Sequence, residues 1–274
     1  MPKAADAVRS QIRGICEALA SLVFPAPCRI CGRILDTGTR IPFCHECMDA
    51  IQQPLPEPLC SKCGRPIVST AVTEGISLPL CHLCRSGVYA FDMARSFGAY
   101  KPRMSRAILL LKYGNLAPLG GWFAQVLADL IRKQPSGFAA DAVVPVPLDQ
   151  PRYRERGYNQ AELIAKPLAR LLDIPFRSYL LVRTRPRPNH LRLTRRERWE
   201  TVRGAYVARE GIRVDNLHIL LVDDVMATGA TLDACSKALR KAGAARVTAL
   251  TVARSVPNWM ATEDTSEQPG VLGT

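Results

Sequence analysis

The sequence predicts an α/β fold, with one domain built on a mainly parallel sheet and a small cysteine-rich domain before it. From residue 91 to residue 258, apolar runs of strand length alternate with amphipathic helical segments, a pattern typical of a parallel sheet covered by helices. Between residues 25 and 90 the apolar periodicity is absent and four Cys-x-x-Cys pairs take its place. The chain has 274 residues, 47% of them hydrophobic, which is enough for one sizeable core.

Charge and hydropathy exclude some classes of protein. No run reaches the roughly 18 uninterrupted apolar residues of a membrane span, because Pro118, Gly120 and Gly121 interrupt the longest candidates. The 37 Lys and Arg against 24 Asp and Glu give a net charge of +13, which favours an anionic partner such as phosphate, nucleic acid or an acidic lipid surface. Arg9 and Arg13 interrupt the N-terminal stretch, which therefore does not resemble a signal peptide, and we expect a cytoplasmic protein.

The two ends of the chain are predicted to lie outside both domains. Residues 1–24 are expected to form an N-terminal amphipathic helix, since apolar residues from Val8 to Val23 recur at helical spacing until Pro25. Such a helix more commonly packs against the rest of its protein, and the alternative is binding to a membrane surface. The tail over 259–274 is polar and contains glycine, which predicts disorder.

The four Cys-x-x-Cys pairs indicate two structural zinc sites in a domain over residues 25–90. Two such pairs complete the tetrahedral thiolate shell that zinc prefers, and this segment has too little apolar material for a core of its own. Under reducing conditions, clustered cysteines are metal ligands more often than disulfides. We expect pairing in sequence order, as in a double zinc ribbon, although the spacing also permits a cross-brace. The expected ligands are Cys28, Cys31, Cys44, Cys47, Cys60, Cys63, Cys81 and Cys84.

The larger domain, over residues 91–258, shows helices and strands in alternation. Each predicted helix carries apolar residues at helical spacing, and each predicted strand is a short run of apolar residues. In order, the segments are the end of an apolar run at 109–112, a helix over 122–131, a strand over 142–146, a helix over 161–172, a strand over 219–222, a helix over 232–242 and a strand over 247–253.

The most informative segment follows the strand over 219–222. Two adjacent acids, Asp223 and Asp224, stand at its carboxyl end, where open α/β sheets bind ligands. The loop after them directs several N–H groups at one point before a helix begins, which suits a phosphate. A ligand with both hydroxyls and a phosphate, such as a ribose 5-phosphate, fits this combination. The loop residues expected to bind it are Val225, Met226, Ala227, Thr228, Gly229, Ala230 and Thr231.

This segment closely resembles the phosphoribosyl-pyrophosphate (PRPP) motif of type I phosphoribosyltransferases. The resemblance implies that the loop binds the 5-phosphate, that the two acids bind the ribose hydroxyls, and that Mg²⁺ accompanies PRPP. Where this chain has Ala227, the family usually has a threonine, so one hydroxyl contact is absent. The alternative is the magnesium-binding strand of a P-loop ATPase, but the sequence contains no G-x-x-x-x-G-K-[ST] motif.

Further motifs extend the resemblance. The strand over 143–147 leads into a basic loop, where Arg154 and Arg156 are expected to bind the pyrophosphate leaving group. Together with Leu-Lys-Tyr-Gly at 111–114 and the start of the zinc ribbon, these motifs make the chain similar, from about residue 22 to 254, to the ComF family of competence-associated proteins, which includes GntX-like members. This resemblance implies a double zinc ribbon, a type I phosphoribosyltransferase-like domain and, for some members, a role in DNA uptake. It implies no known acceptor.

An arginine-rich stretch over 183–203 lies between these motifs. In phosphoribosyltransferases the corresponding region is a mobile flap that closes over the reacting centre. The family pattern expects Gln and Asn where this chain has His190 and Thr201, and Arg198 is retained. Eight arginines beside Trp199 are either a solvated face or a surface that binds single-stranded nucleic acid through phosphates and stacking.

Two functional hypotheses follow. In the first, the chain binds PRPP as a phosphoribosyltransferase-like protein linked to DNA uptake or nucleotide metabolism, and Asp223 and Asp224 are the catalytic residues if it turns over. In the second, it is a non-catalytic zinc-ribbon adaptor that binds single-stranded nucleic acid, with a vestigial or regulatory PRPP pocket. The expected cofactors are two structural zinc ions and Mg²⁺ with PRPP. The expected partners are PRPP, single-stranded DNA or the competence machinery, and a second copy in a homo-oligomer.

Overall fold

The structure is a computed structural model that describes residues 26–35, 40–67, 79–133, 137–186 and 194–256. The expected N-terminal helix over 1–24 and the expected tail over 259–274 lie outside these residues. The chain divides into two compact units, Met1–Gln53 and Pro54–Thr274. The larger unit holds the last four Cys-x-x-Cys cysteines together with the parallel sheet.

The smaller unit is organised around its first two Cys-x-x-Cys pairs. A backbone bridge between Pro27 and Ile34 closes the first of them. Gly32 lies in this turn with φ of 81°, a left-handed conformation that glycine adopts without steric cost. Helix α1 (His45–Ile51) begins inside the second pair and buries Cys47. The larger unit repeats the arrangement, with a bridge between Leu59 and Pro66 and the short helix α2 (His82–Arg85).

The rest of the larger unit alternates strands and helices. In chain order the elements are β1 (Met93–Ala99), α3 (Pro102–Tyr113), α4 (Pro118–Lys133), β2 (Ala142–Pro145), α5 (Gln150–Arg156), α6 (Gln160–Leu172), β3 (Leu181–Arg183), α7 (Arg195–Val202), β4 (Tyr206–Ala208), β5 (His218–Met226), α8 (Ala230–Lys241) and β6 (Arg246–Arg254).

Four of these strands form the expected parallel sheet, in the order β1-β6-β5-β2. Every residue of β5 from Ile219 to Asp224 is buried, as are eight of the nine residues of β6, because helices cover the sheet. Helices α4 and α6 pack against each other so closely that a Cβ on Gly120 would lie 2.5 Å from the carbonyl oxygen of Leu163. Helix α8 contacts β5, β6 and both short strands. The predicted α/β fold is confirmed.

The outer edge of β1 is paired with the segment that precedes it. The N–H of Leu55 donates to the carbonyl oxygen of Phe97 at 3.3 Å, and Pro54 forms an antiparallel bridge with Gly98. Further along the edge, the N–H of Ala94 donates to the carbonyl oxygen of Lys62 at 2.7 Å. The second cysteine-rich turn is therefore hydrogen-bonded to the sheet.

The structure differs from the predicted elements in five places. The apolar run over 109–112 is the end of helix α3, and the basic loop after β2 is helix α5, whose N-cap Asp149 accepts a hydrogen bond from the N–H of Arg152 at 3.1 Å. Strand β5 continues to Met226, so the acid pair lies within the strand. The patterns predicted neither β1 nor the antiparallel pair β3–β4 with α7 between them. Among the described residues, no helix combines the length and apolarity needed to cross a membrane.

Candidate functional site

The eight predicted zinc ligands form two tetrads, paired in sequence order. Within each tetrad the four sulfur atoms lie within 4.8 Å of one another. The first tetrad is Cys28, Cys31, Cys44 and Cys47, and the second tetrad is Cys60, Cys63, Cys81 and Cys84. Sets of four thiols leave no open position, which fits a structural zinc site and not a catalytic one.

The two tetrads share a hydrogen-bond pattern that favours thiolates. The N–H of Cys44 donates to the sulfur of Cys28 at 3.3 Å, and the N–H of Cys81 donates to the sulfur of Cys60 at the same distance. A hydrogen bond from the Cys63 side chain lowers the pKa of Cys60 to about 4, although burial opposes this shift. His45 is not needed as a ligand, since its imidazole Nδ1 lies 2.8 Å from an oxygen of Asp49.

A second site lies in the larger unit, where the carboxyl ends of β2 and β5 and the start of α8 border a cavity of about 330 Å³. Both predicted acids line it. Asp223 is 8% exposed and Asp224 is 4% exposed, and the N–H of Asp224 donates to Oδ1 of Asp223 at 2.8 Å. Strand β6 pairs with β5 as far as Met226 and holds this end of the strand in place, while β2 pairs with β5 up to Val222.

Lys112, at the end of α3, forms an ion pair with the acid pair. Its Nζ lies 2.8 Å from Oδ2 of Asp224, with 20% of the lysine side chain exposed, and both residues line the cavity. This places one cation against one of two adjacent carboxylates. In the sequence, Lys112 stands out only as part of the Leu-Lys-Tyr-Gly motif, because nothing near it indicates a partner more than a hundred residues away.

All seven predicted loop residues, from 225 to 231, line the same cavity. Gly229 is the N-cap of α8 with φ of 82°, and the N–H of Ala230 donates to Oγ1 of Thr228 at 3.3 Å. The first turn of a twelve-residue helix therefore borders the cavity with N–H groups that lack helical acceptors, a favourable environment for an anion.

The basic side of the cavity comes from α5. Arg152 and Arg156 line the cavity, whereas Arg154 is exposed on this helix and is absent from the described lining. The guanidinium of Arg156 donates to Gln160 at 2.9 Å and to the hydroxyl of Tyr113 at 2.7 Å, and it lies 4.5 Å from the centre of that ring. Arg156 is thus held in a fixed position at the cavity.

The β3–β4 pair and α7 border the cavity from another side. Arg183 donates to the hydroxyl of Tyr206 at 2.6 Å, and its Nε lies 4.0 Å from a carboxylate oxygen of Asp149. Arg198 and Thr201 of α7 also line the cavity. His190 lies outside the described residues. The position of Arg183 at the cavity could not be predicted from the sequence, because a strand of three residues is too short to show an alternation of apolar and polar residues.

The site combines three chemistries within one cavity: a buried acid pair, a helix start whose first N–H groups lack helical acceptors, and several cations. Such a set can bind a ligand that carries both hydroxyls and anionic groups.

Comparison with known proteins gives two family matches. Residues 159–264 match the Phosphoribosyl transferase domain, and residues 19–85 match the Double zinc ribbon domain. A solved structure of glutamine phosphoribosylpyrophosphate (PRPP) amidotransferase from B. subtilis matches with a TM-score of 0.34 and 23% identity, over 50% of this chain and 26% of that one.

Relatives of known name match most of the chain. DNA utilization protein YhgH of Salmonella typhimurium is 29% identical over 82% of this chain and 96% of its own length. Competence protein F of Haemophilus influenzae is 28% identical over 78% of this chain and 90% of its own length. Competence protein ComFC of Bacillus subtilis is 27% identical over 77% and 84%. The chain is thus similar over most of its length to DNA utilization and competence proteins, and it contains one segment that matches a double zinc ribbon domain and another that matches a phosphoribosyl transferase domain.

Proposed function

We propose that the cavity binds PRPP together with Mg²⁺. The observation that carries this proposal is the meeting of the acid pair, Asp223 and Asp224, with the loop over 225–231 at the end of one strand. The two parts suit the two ends of a phosphorylated sugar, since carboxylates accept hydrogen bonds from a diol and helix-start N–H groups donate to a phosphate. A cavity of about 330 Å³ falls at the lower end of the range for small-molecule sites.

In this proposal, different groups of residues bind different parts of PRPP. The loop N–H groups and the Thr228 and Thr231 hydroxyls hold the 5-phosphate, and the acid pair orients the ribose. Lys112, Arg152 and Arg156 supply positive charge for the pyrophosphate group, with Arg156 already oriented by Tyr113. Asp223 and Asp224 offer the oxygen ligands that Mg²⁺ prefers. Bound with PRPP, Mg²⁺ would neutralise charge on the pyrophosphate as it leaves.

A transfer reaction at this site would depend on position and charge. Holding the ribose between fixed groups lowers the entropy cost of reaction, and cations placed near the pyrophosphate stabilise the charge that develops there. The two zinc sites have a structural role in this proposal, and their thiolates require a reducing compartment, which agrees with the expected cytoplasmic location.

Isothermal titration calorimetry with Mg²⁺ and PRPP tests the proposal. The wild type is expected to bind in the micromolar range. Asp223→Asn with Asp224→Asn should weaken binding about tenfold or more, because hydrogen bonds to charged groups contribute about 1.5–3 kcal/mol each. Asp129→Asn is the control, since this exposed carboxylate pairs only with its own helix in the contacts described.

The binding experiment also distinguishes the PRPP-binding proposal from the adaptor hypothesis. A wild type that binds no PRPP refutes the proposal. If that protein binds single-stranded DNA with an affinity that falls steeply as salt rises, the adaptor function holds instead. The net charge of +13 and the names of the DNA utilization relatives favour this second candidate.

A further inference from the structure

The second tetrad is connected by side-chain contacts to the phosphate loop, here defined as residues 225–231. The third Cys-x-x-Cys turn of the chain, which contributes Cys60 and Cys63 to this tetrad, packs its backbone against β1. A Cβ on Gly64 would lie 2.8 Å from the carbonyl oxygen of Ala94. The hydrogen bond from Ala94 to Lys62 joins the same two segments. The turn that carries Cys60 and Cys63 therefore has a fixed position relative to the sheet.

Arg254, the last residue of β6, links this turn to the end of β5. Its side chain is fully buried, and its Nη1 donates to the carbonyl oxygen of Cys63 at 2.7 Å and to the sulfur of Met226 at 2.8 Å. Its Nη2 lies 3.6 Å from the sulfur of Cys63. Because Met226 is the last residue of β5 and directly precedes Ala227, one side chain contacts both the tetrad and the strand end from which the phosphate loop leaves the sheet.

Tyr89 makes the second link, five residues after the last ligand, Cys84. Its hydroxyl donates to the carbonyl oxygen of Thr228 at 2.8 Å, and the side chain is almost fully buried. Its ring stacks on Phe91, with 4.6 Å between centroids, and on Trp199 of α7, at 5.9 Å. The next N–H, of Ala90, donates to Asp233 in the first turn of α8 at 2.8 Å.

We propose that the second tetrad positions the phosphate loop and that Tyr89 is the positioning residue through which it acts. The choice of ribose 5-phosphate as the ligand rests on the proposed function, whereas the position of the loop rests on geometry alone. A closed tetrad fixes the chain at Cys84, so the short segment after it presents the Tyr89 hydroxyl to Thr228 in one place. The first tetrad belongs to the other compact unit and provides the internal control.

Tyr89→Phe tests the link while removing a single oxygen atom. Loss of one neutral hydrogen bond should weaken ribose 5-phosphate binding about three- to tenfold, because the loop is less well held. Binding of Mg²⁺-pyrophosphate, which does not use the loop, should be unchanged. Hydrogen exchange of the peptide that contains 226–231 should become faster. Tyr179→Phe is the matched control, since it removes a hydroxyl that bonds Arg177 on the surface.

A second test compares the effects of removing the last cysteine ligand from each tetrad. Cys84→Ser and Cys47→Ser each remove one buried sulfur and should each lower zinc from two to one per chain. Only Cys84→Ser should weaken ribose 5-phosphate binding and speed exchange in the loop. If Cys84→Ser fails to fold, Tyr89→Phe still decides the question.

The two proposals fail in different ways. A wild type that binds no PRPP refutes the proposed function. If it also binds no ribose 5-phosphate, loop exchange in Tyr89→Phe decides the inference alone. A Tyr89→Phe protein with wild-type affinity and wild-type exchange overturns the inference while the proposed function stands. Equal effects of Cys47→Ser and Cys84→Ser on ribose 5-phosphate binding would also overturn it.

Discussion

Replacing Gly229 by alanine should disturb the phosphate loop in two separable ways. Gly229 has φ of 82°, where any other residue is strained by about 1–2 kcal/mol. In addition, its new Cβ would lie 2.8 Å from Cε1 of Tyr89 and 2.8 Å from Cε of Met226. The methionine end can move, but the tyrosine ring is held by its hydroxyl and by stacking. We expect this crowding to add about 1–3 kcal/mol, typical of overpacking in a core.

Gly211→Ala is the matched control for this prediction. Gly211 has φ of 76° in an exposed turn, and apart from its chain neighbours no heavy atom of the described residues lies within 4 Å of its Cβ position, so the substitution carries backbone strain without crowding. Urea unfolding of both variants should show Gly229→Ala to be less stable than Gly211→Ala by about 1–3 kcal/mol. Equal stability of the two variants would show that the Tyr89 ring yields freely, and the reasoning about a fixed loop would be wrong.

Two further predictions concern residues outside the loop. Asn159→Ala removes a buried amide that donates to the carbonyl oxygen of Val146 and accepts from the N–H of Ala161, both at 3.0 Å. The free energy of unfolding in urea should fall by about 1–3 kcal/mol, and a decrease below about 0.5 kcal/mol would contradict this. Burial and nearby Arg246 lower the pKa of His218, although Asp141 and Asp92 oppose them. Because the pKa of His218 in the folded state lies below the ordinary value of about 6.5, protonation of this imidazole disfavours the folded state. The free energy of unfolding is therefore highest above about pH 6.5 and falls as pH falls through the folded pKa. His218→Gln should therefore flatten the pH dependence of stability below about pH 6.5, and an unchanged slope would refute the assignment.

The parts of the site that could be predicted are those with a local signal. Four apolar residues, two acids and a glycine loop lie within one short segment, and the strand pairing of β5 keeps them together. The Cys-x-x-Cys pairs are equally local, but their spacing also permits a cross-brace, and the expected pairing in sequence order is confirmed by the positions of the sulfur atoms in the folded chain.

The parts that could not be predicted depend on contacts between distant segments. Lys112 reaches Asp224 and Tyr89 reaches Thr228 only after the sheet has formed. Strand β1 mixes arginine, serine and glycine with apolar residues, which weakens its alternating pattern. Helix α5 buries no residue, so it has no apolar period, and its start depends on the cap at Asp149.

The hydrogen bonds along the outer edge of β1 also bear on how the chain can be divided. An uncovered edge strand presents free N–H and C=O groups to other chains and promotes edge-to-edge aggregation. Here Leu55 and Lys62 occupy positions on that edge. A fragment that begins at residue 91 would lose this cover, together with the partners of Arg254 at Cys63. Recombinant work on the larger compact unit should therefore start at Pro54, where that unit begins.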